Sequence, residues 1–282
     1  MAKIDKNGNI TFKKFVGVDD PKVLIDFLEK ETQLSKSILK KVLNNGGVWL
    51  KKFKSSKMVR VRRATTEIFK DSSIEFYYNP IFLTIVPPEA KLLLDHQEWG
   101  IWFKPHGLLS EGTHFADHCT ILRQVEKLKG KDKAFPIHRL DREAFGLIVV
   151  GYTEKAARIF SLKWQKGQVK KFYKVEVLGD IREKYPNGGE INLDLEDKEA
   201  KTNFEIIEAN INSSKLLVQI HTGRLHQIRK HFDMIGYPVL GDPRYGKGNK
   251  NLEGLRLMSY RLEFKDPFSE KQINFALDDI PF

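Results

Sequence analysis

Cysteine is nearly absent from this sequence, because Cys119 is the only one among 282 residues. A single cysteine excludes an intramolecular disulfide and a zinc site built from cysteines, and Cys119 is more simply a small core residue than a catalytic thiol. No run approaches the eighteen apolar residues that a membrane-spanning helix needs. The first residues, MAKIDKNGNITFKK, lack the apolar stretch of a signal peptide. We therefore expect a soluble, cytoplasmic protein without membrane contact.

Acidic residues are missing from residues 35–63, SKSILKKVLNNGGVWLKKFKSSKMVRVRR, which contain ten Lys or Arg. The whole chain has 48 Lys plus Arg against 37 Asp plus Glu, a formal net charge of +11. Such a surface attracts polyanions, nucleic acid above all. A solvated face explains any one lysine, but ten cations without a compensating acid favour contact with RNA or DNA. The expected RNA contacts are Lys36, Lys40, Lys41, Arg60 and Arg62.

The same region has the pattern of a small helical module. Apolar residues recur at helical spacing in 21–30, and a second helix is predicted from an N-cap at Ser35 to Asn45-Gly46. Short strands are predicted to follow in VWL, MVRVRRATTEIF and SIEFYY. Residues 23–77 thus resemble the small RNA-binding domain of a ribosomal small-subunit protein and of many RNA-modifying enzymes. We expect an RNA-binding domain over 1–78 and a proline-interrupted linker over 79–91.

The remaining residues, 92–282, alternate less regularly between strand and helix. Strands are predicted in WGIWFKP, GLIVVG, KFYKVEVLG, TNFEIIEA and KLLVQIHTG, and helices in CTILRQVEKLKG, TEKAARIFSLKWQKG and RLHQIRKHFDMIG. Because several strands follow one another directly, an α+β fold with a mixed, mainly antiparallel sheet flanked by helices is favoured over a parallel one. Neither a phosphate loop nor a dinucleotide-binding glycine motif occurs, so no nucleotide cofactor is expected.

The segment HRLDREAFGL, residues 138–147, carries the first chemically suggestive group. Asp141 precedes an apolar run that reads as a buried strand, which would hold its carboxylate rigidly beside a cleft. Nearby Arg139 and Arg142 would favour the ionised carboxylate, suited to act as a nucleophile or a base. From this segment alone, a structural ion pair is the simpler interpretation. His138 is a further expected substrate contact.

Two other segments carry polar groups. In IHTGRLHQIRKHFDMIGYPVLGDPRYG a helix begins among several cations, which suits an anion, so Arg224 and His226 are expected to contact the substrate. Its histidines are spaced by five, which does not stack them on one helical face, and no metal site is expected. In KKFYKVEVLGD, strand alternation places Tyr173 on the apolar face with Val175 and Val177.

Taken together, HRLD…GL, K-x-Y-x-x-x-V and TGR-x-HQIR-x-H…G-x-P-x-x-GD-x-x-YG resemble the RluA-type pseudouridine synthases, as does FKPHGL at 103–108. The resemblance covers roughly residues 92–264. It implies that Asp141 is the essential aspartate, Tyr173 the active-site tyrosine and Arg229 the basic partner of the aspartate. It also implies that Arg139 fills the space of a displaced nucleotide and that Leu147 and Ile228 line a uracil pocket.

The implied reaction is the isomerisation of uridine in ribosomal or transfer RNA. It moves the base from N1 to C5 without redox change, so no cofactor is required, and the target base must leave its stack. Asp141 either attacks C1′ or removes the 2′-proton to give a glycal, and both routes remain open. One departure is Ala144-Phe145, where the family usually has Thr-Ser. Two alternatives remain: a non-catalytic RNA-binding or ribosome-assembly factor, and a metal-dependent phosphate-ester hydrolase. A monomer is expected.

Overall fold

The computed structural model describes residues 4–249, 251–278, 280 and 282 and divides the chain into two compact units. The first unit contains Met1–Pro87 and Glu111–Gln124, and the second contains Pro88–Ser110 and Val125–Phe282. The predicted small domain, 1–78, lies wholly within the first unit, and the predicted linker is divided between the two. In the part of the chain described, no helix is both long and apolar enough to cross a bilayer.

The first unit is a four-stranded antiparallel sheet with two helices. Its strands lie in the order β1-β4-β2-β3. The elements are β1 (Ile10–Phe15), α1 (Leu24–Thr32), α2 (Lys36–Asn44), β2 (Val48–Lys51), β3 (Val59–Arg60) and β4 (Ser73–Tyr78). Leu24, Leu28, Leu39 and Leu43 of the helices are fully buried against the sheet. Apolar residues at helical spacing therefore form the core that the sequence predicts.

Local signals in this unit are mostly confirmed. The Ser35 hydroxyl accepts a hydrogen bond from the backbone N–H of Ile38 (3.4 Å) and so caps α2. The chain leaves this helix through Gly46, whose φ of +80° lies in the left-handed region that glycine favours. The strand predicted over 58–69 is wrong for most of its length, because only β3 forms. Carbonyl groups of this segment, at Ala64 and Thr66, instead accept the backbone N–H groups that open α1.

The second unit is built on a ten-stranded sheet. The sheet is mixed and mainly antiparallel, which confirms the predicted α+β fold. The order is β10-β11-β12-β9-β13-β8-β6-β5, with β14 on β13 and β7 on β8. The strands are β5 (Lys91–Asp95), β6 (Trp99–Lys104), β7 (Phe135–Pro136), β8 (Phe145–Gly151), β9 (Lys170–Leu178), β10 (Gly189–Asn192), β11 (Lys201–Ala209), β12 (Ser213–Ile220), β13 (Leu257–Lys265) and β14 (Gln272–Ala276). β8 and β13 pair in parallel, and the other named pairs are antiparallel.

The remaining α-helices of the described residues are α3 (Ile121–Lys129), α4 (Glu154–Gln165) and α5 (Gln227–Met234), and short 3₁₀ helices lie at Phe82–Thr84, Asp117–Cys119 and Ile181–Glu183. The boundary between the units falls within α3. Phe160 of α4 packs edge-on against Trp99 and Phe264 in the core on one side of the sheet. The opposite side carries Tyr173, whose burial together with Val175 and Val177 confirms the predicted alternation along β9.

Candidate active site

Asp141, Arg229 and Asp242 form a hydrogen-bonded row of charged side chains, of which Asp141 is the most exposed. Its Oδ2 accepts a hydrogen bond from Nη1 of Arg229 at 2.8 Å, and 22% of its side chain is exposed. Arg229 is buried, with 1% of its side chain exposed, and gives Nε and Nη2 to the two oxygens of the equally buried Asp242 (2.6 and 2.8 Å). Although burial opposes its charge, the bonds to Asp242 and Asp141 raise the pKa of Arg229 above its ordinary value. The guanidinium is therefore a permanent cation fixed against Asp141.

Local structure explains why Arg229 is so well fixed. It lies in the first turn of α5, which the buried side chain of Gln227 ties to β11 and to the segment that follows β12. The Gln227 amide donates to Thr202 Oγ1 (3.1 Å) and accepts from the Thr222 hydroxyl (2.7 Å). Asp242 is held in turn, because its Oδ1 accepts the backbone N–H groups that follow it, at 244 and 245. Neither end of the Arg229–Asp242 pair is free to turn.

Tyr173 lies on the sheet face that meets this charge. Directly opposite residues in adjacent strands point to the same face. Register pairs Lys104 with Gly146, Gly146 with Ser259, and Ser259 with Tyr173, which forms one row across β6, β8, β13 and β9. Burial and the negative charge of Asp141 raise the pKa of the Tyr173 phenol above its ordinary value. The Tyr173 phenol is therefore protonated near pH 7, and the charge of Asp141 acts on it.

Lys104 is an ionisable group buried beneath the Asp141 loop. Its Nζ donates to the carbonyl oxygens of Ala144 (2.6 Å) and Leu108 (2.8 Å), so it joins FKPHGL to the loop that carries Asp141. Burial lowers the pKa of Lys104 to about 7, while the charges of Asp141 and Glu143 oppose that shift. Lys104 thus ties the backbone that follows Asp141 to the FKPHGL segment.

His226 is the other ionisable group next to Asp141. Its Nε2 lies 3.8 Å from Asp141 Oδ2 and its Nδ1 lies 3.1 Å from the hydroxyl of Tyr245. Its φ of +55° puts it in the left-handed region, a strained conformation for a residue other than glycine. Burial lowers the pKa of His226, although the charge of Asp141 raises it. A neutral imidazole is therefore held at the edge of the site.

The other predicted substrate contacts differ in their placement. Arg139 is exposed two residues before Asp141, Ile228 is buried beside Arg229, and Arg224 is exposed with its Nε on the carbonyl of Glu199 (3.0 Å). Leu147 alternates onto the opposite face of β8, where it packs in the core that contains Phe160. This placement argues against the predicted uracil contact of Leu147.

His138 also has a structural placement. Its ring stacks on Trp164 (4.5 Å between centroids), and its Nε2 accepts the backbone N–H of Val149 at 3.0 Å. Burial lowers the pKa of His138 to about 3, so the ring is neutral near pH 7. Since the ring closes the core and Nε2 is already engaged, these contacts argue against the predicted substrate contact of His138.

The Ala144-Phe145 departure is absorbed by the core. Ala144 is buried, and the Phe145 ring packs against His106 (4.2 Å) on the side of the sheet away from Tyr173. The His106 Nδ1 lies 2.6 Å from the carbonyl oxygen of Glu143, so the histidine connects FKPHGL to the Asp141 loop. Phe145 therefore packs against the histidine that supports the Asp141 loop.

The predicted RNA contacts of the first unit fall into two groups. Arg60 and Arg62 both pair with the carboxylate of Asp117, and Lys36 pairs with Asp26 (2.7 Å). Lys40 and Lys41 are exposed on α2, and within the described chain neither pairs with a carboxylate. The lysines of α2 are therefore more available to a polyanion than the two arginines.

Asp242, Gln227 and Lys104 are the site residues that sequence reasoning did not assign. All three occur within the quoted motifs GDPRYG, HQIR and FKPHGL, but no local pattern gives their partners. Across residues 4–249, 251–278, 280 and 282, no three His, Cys, Asp or Glu side chains are grouped so that they could hold a metal ion.

Comparisons with known proteins agree with this geometry. Residues 99–234 match the family model described as RNA pseudouridylate synthase. An uncharacterized RNA pseudouridine synthase of Synechocystis sp. is 32% identical over 219 residues, which cover 68% of this chain and 75% of that protein. The dual-specificity RNA pseudouridine synthase RluA of Escherichia coli is 29% identical over 64% of this chain and 86% of its own. The solved human RNA pseudouridylate synthase domain containing 4 has a TM-score of 0.56 and 19% identity, over 67% of this chain and 88% of that one.

The mixed sheet with its Asp–Arg pair beside a buried tyrosine thus has the fold of a pseudouridine synthase. The sequence identity to the Synechocystis relative also shows which family the chain belongs to. The chain belongs to the RNA pseudouridine synthase family and is of the RluA type.

Proposed function

We propose that this protein isomerises specific uridines in ribosomal or transfer RNA to pseudouridine, with Asp141 as the catalytic carboxylate. The observation that carries the proposal is the 2.8 Å bond from buried Arg229 to an Asp141 that remains partly exposed. The fully buried carboxylate of Asp242 can contact only protein groups, whereas the partly exposed carboxylate of Asp141 is accessible to a substrate. Asp141 also acts electrostatically on Tyr173, whose pKa it raises together with burial.

The roles of the three side chains follow from their charges. Asp141 either attacks C1′ of the everted nucleotide or removes its 2′-proton, and in both routes the electron pair of the N1–C1′ bond leaves with the uracil. Arg229 orients the carboxylate through the 2.8 Å hydrogen bond from its Nη1. The neutral phenol of Tyr173 is suited to stack on the uracil. Because its pKa is raised, the Tyr173 phenol is protonated. It must therefore give its own proton to another acceptor before it can take the proton from C5 at the end of the reaction.

Contact with the rest of the RNA would come from several cationic side chains. Arg139, exposed beside Asp141, would occupy the space left by the everted nucleotide. Arg224 and His226 border the start of α5, where a phosphate would meet positive charge. In the first unit, Lys40 and Lys41 would contact the backbone of the RNA. Because Arg60, Arg62 and Lys36 already pair with acids, their contribution would be smaller.

The test uses the whole protein and RNA from cells that lack its gene, labelled with tritium at uridine C5. Joining C5 to C1′ displaces the C5 hydrogen, so isomerisation releases tritium into water. Carbodiimide derivatisation and mass spectrometry of the same RNA would locate the new pseudouridine. We expect stoichiometric tritium release at one or a few positions. Tight RNA binding without any release would contradict the proposal and leave an RNA-binding factor.

A further inference from the structure

Ser259, in the middle of β13, carries a buried hydroxyl with nothing to bond. The residue is 1% exposed, and within the described chain its Oγ has no hydrogen-bond partner. Leaving a buried hydroxyl unpaired is costly, so native structures rarely keep one without a reason. The Ser259 hydroxyl therefore has a donor hydrogen that no group of the described residues accepts.

The register of the sheet places this hydroxyl in the candidate site. Ser259 pairs directly with Tyr173 of β9 and with Gly146 of β8, and all three belong to the row described above. Since Tyr173 points to the face that meets Asp141, the Ser259 hydroxyl lies on that face beside the base of the ring.

Gly146 lies directly against the backbone of Ser259 on the β8 side. A Cβ on Gly146 would lie 2.3 Å from the carbonyl oxygen of Ser259, and its φ of +110° is one that other residues rarely adopt. Glycine therefore lets β8 and β13 pair closely and leaves no side chain between Ser259 and Lys104, the next residue in the row. The charge of Asp141 acts on Tyr173 and on Lys104. Ser259 therefore lies in the row between Lys104 and Tyr173, the two groups on which the charge of Asp141 acts.

We propose that the hydroxyl of Ser259 donates a hydrogen bond to a carbonyl oxygen of the everted uracil. The inference rests on the proposed function, since it requires a uracil stacked on Tyr173. A serine hydroxyl is one donor, and the uracil edge offers O2 and O4 as acceptors. When the N1–C1′ bond breaks, its electron pair stays on the base and spreads over these oxygens. The Ser259 hydroxyl, fixed on the sheet, then stabilises the departing base more than it stabilises the bound substrate.

The experiment compares two alanine variants of the whole protein. Ser259→Ala removes the hydroxyl at the site. Ser73→Ala removes the buried, equally unpartnered hydroxyl of Ser73, which lies in β4 of the first unit. We expect both variants to unfold at the wild-type temperature or above it, because neither loses a bond. In tritium release from C5-labelled RNA, kcat/KM should fall about tenfold for Ser259→Ala and stay within about twofold of wild type for Ser73→Ala.

Each outcome decides a separate point. If the wild type releases no tritium, the proposed function fails and the role of Ser259 fails with it. If the wild type is active and Ser259→Ala matches it, the function stands and the Ser259 inference is overturned. A clear fall in the unfolding temperature of Ser259→Ala would mean that the hydroxyl has a partner in the free protein, which also overturns the inference.

Discussion

Asp242→Asn tests whether the buried carboxylate is what fixes Arg229. The substitution keeps the volume of the side chain but removes its charge. The amide oxygen would take the place of Oδ1, which accepts from Arg229 Nη2 and the N–H groups at 244 and 245. The amide nitrogen would then face Arg229 Nε, where two donors meet and no bond forms.

The loss can be estimated from burial and distance. Two unit charges about 4 Å apart attract by about 4 kcal/mol at an effective dielectric constant of about 20, and removing one partner of a buried pair costs about 3–5 kcal/mol. Because Asn retains one acceptor, we expect the free energy of unfolding of the second unit to fall by about 3 kcal/mol. The unfolding temperature should fall by roughly 6–12 °C.

The assay is urea unfolding alongside tritium release. Turnover should fall at least about tenfold, because Arg229 would no longer be fixed against Asp141. The matched control is Asp132→Asn in the same unit, where the carboxylate is exposed, and its stability should stay within about 0.5 kcal/mol of wild type. A loss below about 1 kcal/mol for Asp242→Asn would refute the reasoning, since Arg229 would then keep its position without the second carboxylate.

Three further substitutions test other parts of the account. Between pH 7 and 9 the wild-type free energy of unfolding should rise by about 2 kcal/mol relative to Lys104→Met, because the folded lysine loses its proton near pH 7 while the unfolded lysine keeps it to about pH 10. Parallel pH profiles would contradict this. Tyr173→Phe should bind RNA normally but release tritium at least about tenfold more slowly, and wild-type turnover would remove the hydroxyl from the mechanism. Replacing Lys40 and Lys41 by alanine should reduce the slope of log K against log salt by about 1–2, whereas Lys30→Ala, which loses a lysine already paired with Asp20, should leave it unchanged.

The local parts of this structure were predictable because their causes are local. Ser35 caps the helix that follows it, and Tyr173 faces the side that alternation assigns to it. Contacts between residues far apart in the sequence could not be predicted from local pattern alone. Arg229 contacts a carboxylate 88 residues earlier in the chain, and only the family resemblance indicated the pair. For the same reason Arg60 and Arg62 seemed uncompensated, although their acid, Asp117, lies more than fifty residues further on.

Faces of fully buried strands are harder to assign. Every residue of β8 is buried, so alternation gives no sign of which side meets the site, and the pocket role expected of Leu147 followed the motif alone. β13 was not predicted at all, because its register shifts between Ser259 and Arg261 and breaks the two-residue period. Ser259 therefore entered no sequence-based list of site residues.

The most direct test of the account is Asp141→Asn in the whole protein, assayed for RNA binding and for tritium release from C5-labelled RNA. The amide keeps the shape of the side chain and an oxygen for Arg229 but cannot act as a nucleophile or a base. We predict RNA affinity within about threefold of wild type and no detectable release, since the lost group does the chemistry and other residues bind the RNA. Release at a rate near that of the wild type would contradict the central claim that the carboxylate of Asp141 carries the reaction.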